Sequence, residues 1–206
     1  MPFSIEPSAE IAFRHDFALL ANARGYVDAV EVGVDQGVFA RAFLNRWHGH
    51  AMMLVDPYLP YAEMPYDRTL DGLTAIQALM PHHGRWRLIR EASPEAIQSV
   101  LHFIKPPGFV YLDGSHEEAD VTRDLKAWWE VIPPDGLMAG HDFDDEHPGV
   151  MAAVESFARE RELVVRLTSE KTFPASWYCY RNEPEKLYQR LFTEGEIENP
   201  HHLGGR

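Results

Sequence analysis

Short runs of aliphatic and β-branched residues recur along the chain, and between them lie longer stretches whose apolar residues return every three or four positions. That alternation predicts a mostly parallel sheet with helices on both faces. The expected strands are 29–34, 51–55, 85–90, 108–112, 136–140, 163–167 and 176–180. Phe39, Phe43 and Trp47 mark one core-facing helical stripe, and Ala96, Val100 and Ile104 a second. Val121, Leu125, Trp128 and Ile132, then Val150, Val154 and Phe157, supply two more with the spacing of a buried helix face.

Polar residues punctuate these stripes. Ser93-Pro94-Glu95 reads as an N-cap, a first-turn proline and an acid at the positive helix end. Ser115 and Glu118 have capping-box spacing, and Pro148 marks a further start. The runs 163–167 and 176–180 are joined without a helix, so they form an antiparallel pair. Residues 8–23 read as an extra helix, 185–192 as a C-terminal helical turn and 194–206 as a frayed tail. The fold expected is a doubly wound α/β sheet of seven strands, parallel except for its C-terminal pair. Ligands of such sheets sit beyond the carboxyl ends of the strands, where strand order reverses.

Length and charge narrow this picture. The 206 residues suit one domain: 1–25 as N-terminal helix or lid, 27–181 as core and 182–206 as turn and tail. A formal charge of −13 disfavours nucleic acid and anionic membrane as partners. A small molecule is the expected partner, and a homo-oligomer is compatible with the sequence. The lone Cys179, and a start without a basic and apolar leader, point to the cytoplasm.

Candidate chemistry gathers at the strand tips. Glu31-Val32-Gly33 and Gly37 frame a tight strand-to-helix turn, without the close glycine pair of a dinucleotide fingerprint. Asp56 lies 23 residues beyond Gly33, about where an acid takes a ribose diol, although Asp56-Pro57-Tyr58 also suits a plain turn. Ser93 ends the third strand unit, with helix capping its simpler role. Asp113-Gly114-Ser115-His116 and His141-Asp142 then repeat an acid-and-imidazole arrangement on two successive strands. Neighbouring strands lie about 4.7–4.9 Å apart, so Asp113 and Asp142 can meet on one cation such as Mg²⁺, with His116 placed to take a proton. Loop or cap roles for these residues stay open, as does the participation of His141 and Asp144. His48, His50, His82 and His83 read as solvated loop residues, and Trp128-Trp129 as packing.

With these motifs in view, the chain resembles class I S-adenosylmethionine-dependent methyltransferases from about residue 27 to 181. It is most similar to a small bacterial group whose strand tips read Glu-x-Gly-x-x-x-Gly, Val-Asp-Pro, Asp-x-x-His and Gly-His-Asp. Trp128-Trp129 and the Gly-Val-x-x-Ala-Val run at 149–154 match that group too. More distantly it resembles catechol-type and macrolide-sugar O-methyltransferases. The resemblance implies a Rossmann-like fold, S-adenosylmethionine as cofactor and O-methylation of a small molecule. It implies that Glu31, Gly33 and Gly37 line the methionine and ribose part, Asp56 holds the diol and Ser93 lies near adenine. Asp113 touches cofactor and metal, Asp142 is a metal ligand for Mg²⁺ or another divalent ion, and His116 is the base. The chain departs from metal-dependent members, which carry Ser at Phe39 and Lys at His116, and from the catechol type, which has Asp-Asn at His141-Asp142. The alternatives are a metal-free enzyme in which His116 or His141 is the sole base and Asp113 acts as a catalytic partner orienting an imidazole, and a binding protein without turnover. The substrate cover expected is the Tyr- and Pro-rich connection 57–68 together with the N-terminal helix carrying Phe13 and Phe17.

Overall fold

The computed structural model describes residues 2–61, 64–169 and 174–183. Strands β1 (Ser4–Pro7), β2 (Asp28–Val32), β3 (Ala51–Val55), β4 (Trp86–Ile89), β5 (Phe109–Leu112), β6 (Leu137–Gly140), β7 (Val164–Leu167) and β8 (Trp177–Tyr180) form one sheet in the order β1-β7-β8-β6-β5-β2-β3-β4. Every pairing is parallel except those of β8 with β6 and β7. Strand order reverses between β2 and β5, so the switch point lies beyond Val32 and Leu112.

Helices α1 (Phe17–Ala23), α2 (Val38–Arg46), α3 (Thr69–Leu79), α4 (Ile97–Phe103), α5 (Glu118–Val131) and α6 (Pro148–Glu160) cover the two faces. On one face Val30, Val32, Val110, Leu112 and Met138 pack with Val100, Leu125, Trp128 and Val154. On the other, Phe109 and Tyr111 meet Phe39 and Phe43 of α2. Phe39 stacks on Tyr111 at 3.9 Å between ring centroids, and Phe43 on Phe109 at 5.1 Å, both with planes 7° apart. The match has a geometric cause. Four residues of helix advance about 6 Å and two residues of strand about 6.6 Å, so two rings of each element come into register.

Three expectations need correction. The sheet has eight strands, not seven, because Ser4–Pro7 pairs with β7; three of its four residues are exposed, so no apolar run announced it. The N-terminal helix is only Phe17–Ala23, preceded by a 3₁₀ turn at Arg14–Asp16. Neither proposed cap forms: α4 begins at Ile97, four residues beyond Ser93, and the Ser115 hydroxyl accepts from Glu117 N and donates to Asp120. The start of α6 at Pro148 agrees with the sequence. The predicted turn and tail at 185–206 lie outside the described residues.

Candidate active site

A cleft of roughly 640 Å³ opens at the switch point, and residues after β2, β3, β4, β5 and β6 all line it. Its floor is the bend after β2. Gly33 has φ +84°, and a Cβ there would lie 1.9 Å from the Asp113 carbonyl oxygen, so only glycine lets the two central strand tips touch. Gly37, at φ +75°, opens α2. Glu31 also lines the floor. It is 1% exposed, and its Oε2 has no hydrogen-bond partner among the described residues. Burial, reinforced by Asp113 and Asp56, raises its pKa well above the carboxylate range. A cationic ligand group above Glu31 would restore its charge and supply a partner.

Asp56 is committed in a way the sequence did not reveal. Its Oδ2 accepts from Val34 N and Asp35 N at 3.1 Å, while Oδ1 accepts from Tyr58 N at 2.8 Å. Arg68, at the end of the Tyr-rich connection, adds contacts of 3.2 and 3.4 Å to the same carboxylate. The guanidinium also reaches Asp35 and Asp71, at 3.3 and 3.5 Å. Arg68 therefore ties together the glycine bend, the tip of β3 and α3. Asp56 makes the turn its sequence suggested, and it also lines the cleft.

At the β4 end, Ser93 accepts from Trp128 Nε1 at 2.9 Å and donates to Asp124 Oδ1 at 2.8 Å. Asp124 lines the cleft, and burial pushes its carboxyl to about 6 against the Ser93 bond. Trp128 and Trp129 are both in the core.

The tips of β5 and β6 carry the densest chemistry. Asp142 has a left-handed φ of 57°. It presents Oδ2 to His116 Nε2 at 3.0 Å and Oδ1 to His141 Nδ1 at 2.8 Å. Burial alone would raise its pKa, but the two imidazole bonds override that and hold it well below the usual range. His141 Nδ1 also lies 3.7 Å from Asp113 Oδ1. Burial tends to lower the His141 pKa, and the Asp142 bond and Asp113 outweigh it. Asp113 is pushed up to about 6 by burial and Asp142, against His141 and Arg14. Asp113, His141 and Asp142 each offer a ligand atom within 4.8 Å of the others, and so do His116, Asp142 and His147. Gly149 helps place His116: a Cβ there would meet the His116 carbonyl at 2.3 Å, so α6 can abut this turn only without a side chain.

The structure thus brings Glu31, Gly33, Asp56, Ser93, Asp113, His116 and Asp142 to one cleft, with Gly37 just behind the bend. His141 joins them, whereas Asp144 bonds His147. Sequence reasoning missed Arg14 and Arg68. Arg14 Nη1 stands 3.4 Å from His141 Nε2 and 3.8 Å from Asp113 Oδ2. No local pattern distinguishes it from any surface arginine, whereas Arg68 had one cue, its place at the end of an unusual loop. Of the expected cover, the connection contributes Pro57, Leu59, Pro60, Tyr61 and Met64 to the cleft, while the N-terminal part is corrected. Phe17 is fully buried against Phe109, Tyr111 and Tyr178, Phe13 is 54% exposed, and it is Arg14 that enters the cleft. His50 and His82 are solvent-facing as expected, and at the surface they contact Asp28 and Asn45.

A family model described as "Methyltransferase domain" matches residues 30–143, more than half of the chain. A search of curated proteins finds no match. Among solved structures, the chain is similar to an O-methyltransferase from Bacillus cereus in complex with SAH, at TM-score 0.62 and 11% identity over 84% of each chain. It is also similar to the O-methyltransferase TomG of Streptomyces achromogenes in complex with SAM, at TM-score 0.59 and 10% identity over 81% of this chain and 78% of the other. A third is a precorrin-6y C5,15-methyltransferase from Geobacter metallireducens, at TM-score 0.59 and 10% identity over 85% and 93%. At such identities the likeness speaks for the fold.

Proposed function

Since the chain belongs to the methyltransferase-domain family, we propose that it is an S-adenosylmethionine-dependent O-methyltransferase acting on a small molecule, with His116 as general base. The observation that carries this reading is the 3.0 Å contact of His116 Nε2 with Asp142 Oδ2 on the wall of the cleft whose floor is the Gly33 bend and the Glu31 carboxyl. Bound S-adenosylmethionine supplies a methyl group on a positively charged sulfur. The chain's residues suit that ligand. Glu31 is a buried carboxyl whose Oε2 lacks a hydrogen-bond partner among the described residues, and Gly33 keeps the floor clear of side chains, whereas the acceptor sites of Asp56 are taken by three backbone amides and Arg68. Solved neighbours holding SAM and SAH support the same cofactor.

His116 takes the acceptor's proton, and Asp142 steadies the imidazolium that results. His141, bonded to the other oxygen of Asp142, keeps that carboxylate ionised and oriented. The acceptor's position, in line with the transferred methyl, is set by the cleft walls, where positioning supplies much of the barrier reduction. The many acids of the cleft and the net charge of −13 favour a neutral or cationic small acceptor over nucleic acid. No described helix is long and apolar enough to cross a membrane. The single cysteine, Cys179, cannot form an intrachain disulfide, which supports the cytoplasm as the compartment.

A divalent cation fits Asp113 and Asp142, with His141 as a third donor. It would polarise the acceptor oxygen. One imidazole among carboxylate donors admits Mn²⁺ or Fe²⁺ as well as Mg²⁺, and Arg14, 3.8 Å from Asp113 Oδ2, opposes any cation there. Activity surviving exhaustive chelation would leave His116 working without it.

The test is calorimetric titration of S-adenosylmethionine followed by turnover of His116→Ala. The cofactor is expected to bind, and the variant to lose roughly 10²–10⁴-fold in turnover with nearly unchanged cofactor affinity. No binding at millimolar cofactor ends the transferase reading. Unchanged turnover removes His116 from the role of base.

A further inference from the structure

His147 has no task in methyl transfer. Among the described residues it is not part of the cleft wall; it stands behind His116, with 4.5 Å between ring centroids. Its surroundings are nonetheless organised. His147 Nδ1 lies 2.8 Å from Asp144 Oδ1, and that carboxylate oxygen also accepts from the backbone N of His147 and of Glu146. An imidazole whose Nδ1–H is given to a carboxylate keeps the Nε2 lone pair available and basic, as in the carboxylate–histidine–metal arrangement. Asp142 is steadied in the same manner by His141.

We propose that His116, Asp142 and His147 form a site for a borderline divalent transition metal, Zn²⁺ foremost, whose occupation takes His116 away from proton transfer and so switches the enzyme off. Two imidazoles and one carboxylate are the donor set of three-ligand zinc sites, and they disfavour Mg²⁺ and Ca²⁺, which take oxygen. Donors of a tetrahedral site with bonds near 2.0–2.1 Å stand about 3.3 Å apart. His116 Nε2 and Asp142 Oδ2 are already 3.0 Å apart, and all three donors lie within 4.8 Å of one another, so side-chain movement of about 1 Å closes the site. Asp142 gives Oδ2 to His116 and Oδ1 to His141, and His147 Nδ1 lies 4.0 Å from that same Oδ1. A cation behind His116 therefore shares Asp142 with one held by Asp113, and the two donor sets differ in their other ligands. Arg14 further separates them, because its positive charge attends Asp113 and His141.

The inhibitory part of this proposal rests on His116 being the base; the binding part does not. Zn²⁺ is titrated by calorimetry into the full chain, and Co²⁺ is added to a parallel sample to record visible absorption. One equivalent of zinc, with the strong bands of four-coordinate cobalt, is expected for the unmodified chain. His147→Asn should abolish binding, Asp144→Asn should weaken it about 10–100-fold, and Asp113→Asn should leave it within about twofold. Zinc should stop methyl transfer, and stripping it with EDTA, followed by removal of the chelator and addition of Mg²⁺ or Mn²⁺, should restore it. Absence of zinc binding, or binding lost with Asp113→Asn and kept with His147→Asn, overturns the site while leaving the transferase reading intact. Binding that depends on His147 in a chain that transfers no methyl group keeps the site and removes that reading. If His147→Asn fails to fold, the cobalt spectrum of the unmodified chain and the Asp144→Asn titration decide: octahedral cobalt bands together with unchanged zinc affinity in Asp144→Asn refute the proposal.

Discussion

Single residues decide whether the cleft exists. Gly33 packs its backbone against the Asp113 carbonyl at a positive φ, so Gly33→Ala meets both a clash and a strained dihedral. We expect a loss of about 1–3 kcal/mol in urea unfolding, together with loss of cofactor binding, and calorimetry on the folded fraction checks the second effect. Asp124 offers a pH-dependent test. Its folded pKa of about 6 lies above the ordinary carboxylate value, chiefly through burial. Its contribution to stability is therefore present below pH 4 and lost as pH rises through 6. Asp124→Asn keeps an oxygen for Ser93 and removes the titration. Relative to the unmodified chain, the variant should gain on the order of 3 kcal/mol at most between pH 4 and pH 7.5. Equal differences in unfolding midpoint at both pH values would show that Asp124 does not titrate in this range.

At the scale of elements, α2 and β5 are held by ring against ring. Phe39→Ala removes the ring stacked on Tyr111 in a fully packed layer and should cost about 3–5 kcal/mol, read from a chemical unfolding curve. The loss should act on the site as well, since α2 opens at Gly37 and carries the glycine bend. Much at this scale was legible in the chain. The stripe Phe39–Phe43–Trp47 and the runs around Val30 and Val110 follow the periods of helix and strand, and they form those elements. What escaped was made of atypical material. The edge strand Ser4–Pro7 is polar because an edge strand faces water, and α1 is shorter than its pattern because Ser8 to Phe13 is an ordered strap. Glu10 in that strap accepts from Tyr178 and Tyr180, 168 and 170 residues away, at 3.0 and 2.6 Å. No local window contains both partners of such a contact.

Over the whole molecule, charge and topology act together. The sheet order puts the tips of β2, β3, β5 and β6 side by side, and with them Glu31, Asp56, Asp113 and Asp142 on one rim. The surplus of negative charge extends over the rest of the chain. We expect no binding to duplex DNA or structured RNA at near-physiological salt by fluorescence anisotropy, because polyphosphate and protein repel within a Debye length of about 8 Å. Micromolar binding would reopen the choice of acceptor.

By itself the sequence determined the element types, the near-complete strand set and the positions where chemistry could gather, because periodicity and glycine-acid turns are local properties written within a few residues. It also determined that Asp113 and Asp142 belong to successive strands. Only the tertiary structure decided what those residues touch: that Asp56 is already held by Arg68 and three backbone amides, that Arg14 stands over Asp113, and that His147 stands behind His116. These are encounters between segments far apart in the chain, fixed by packing of whole helices and strands, and no spacing in the sequence encodes them.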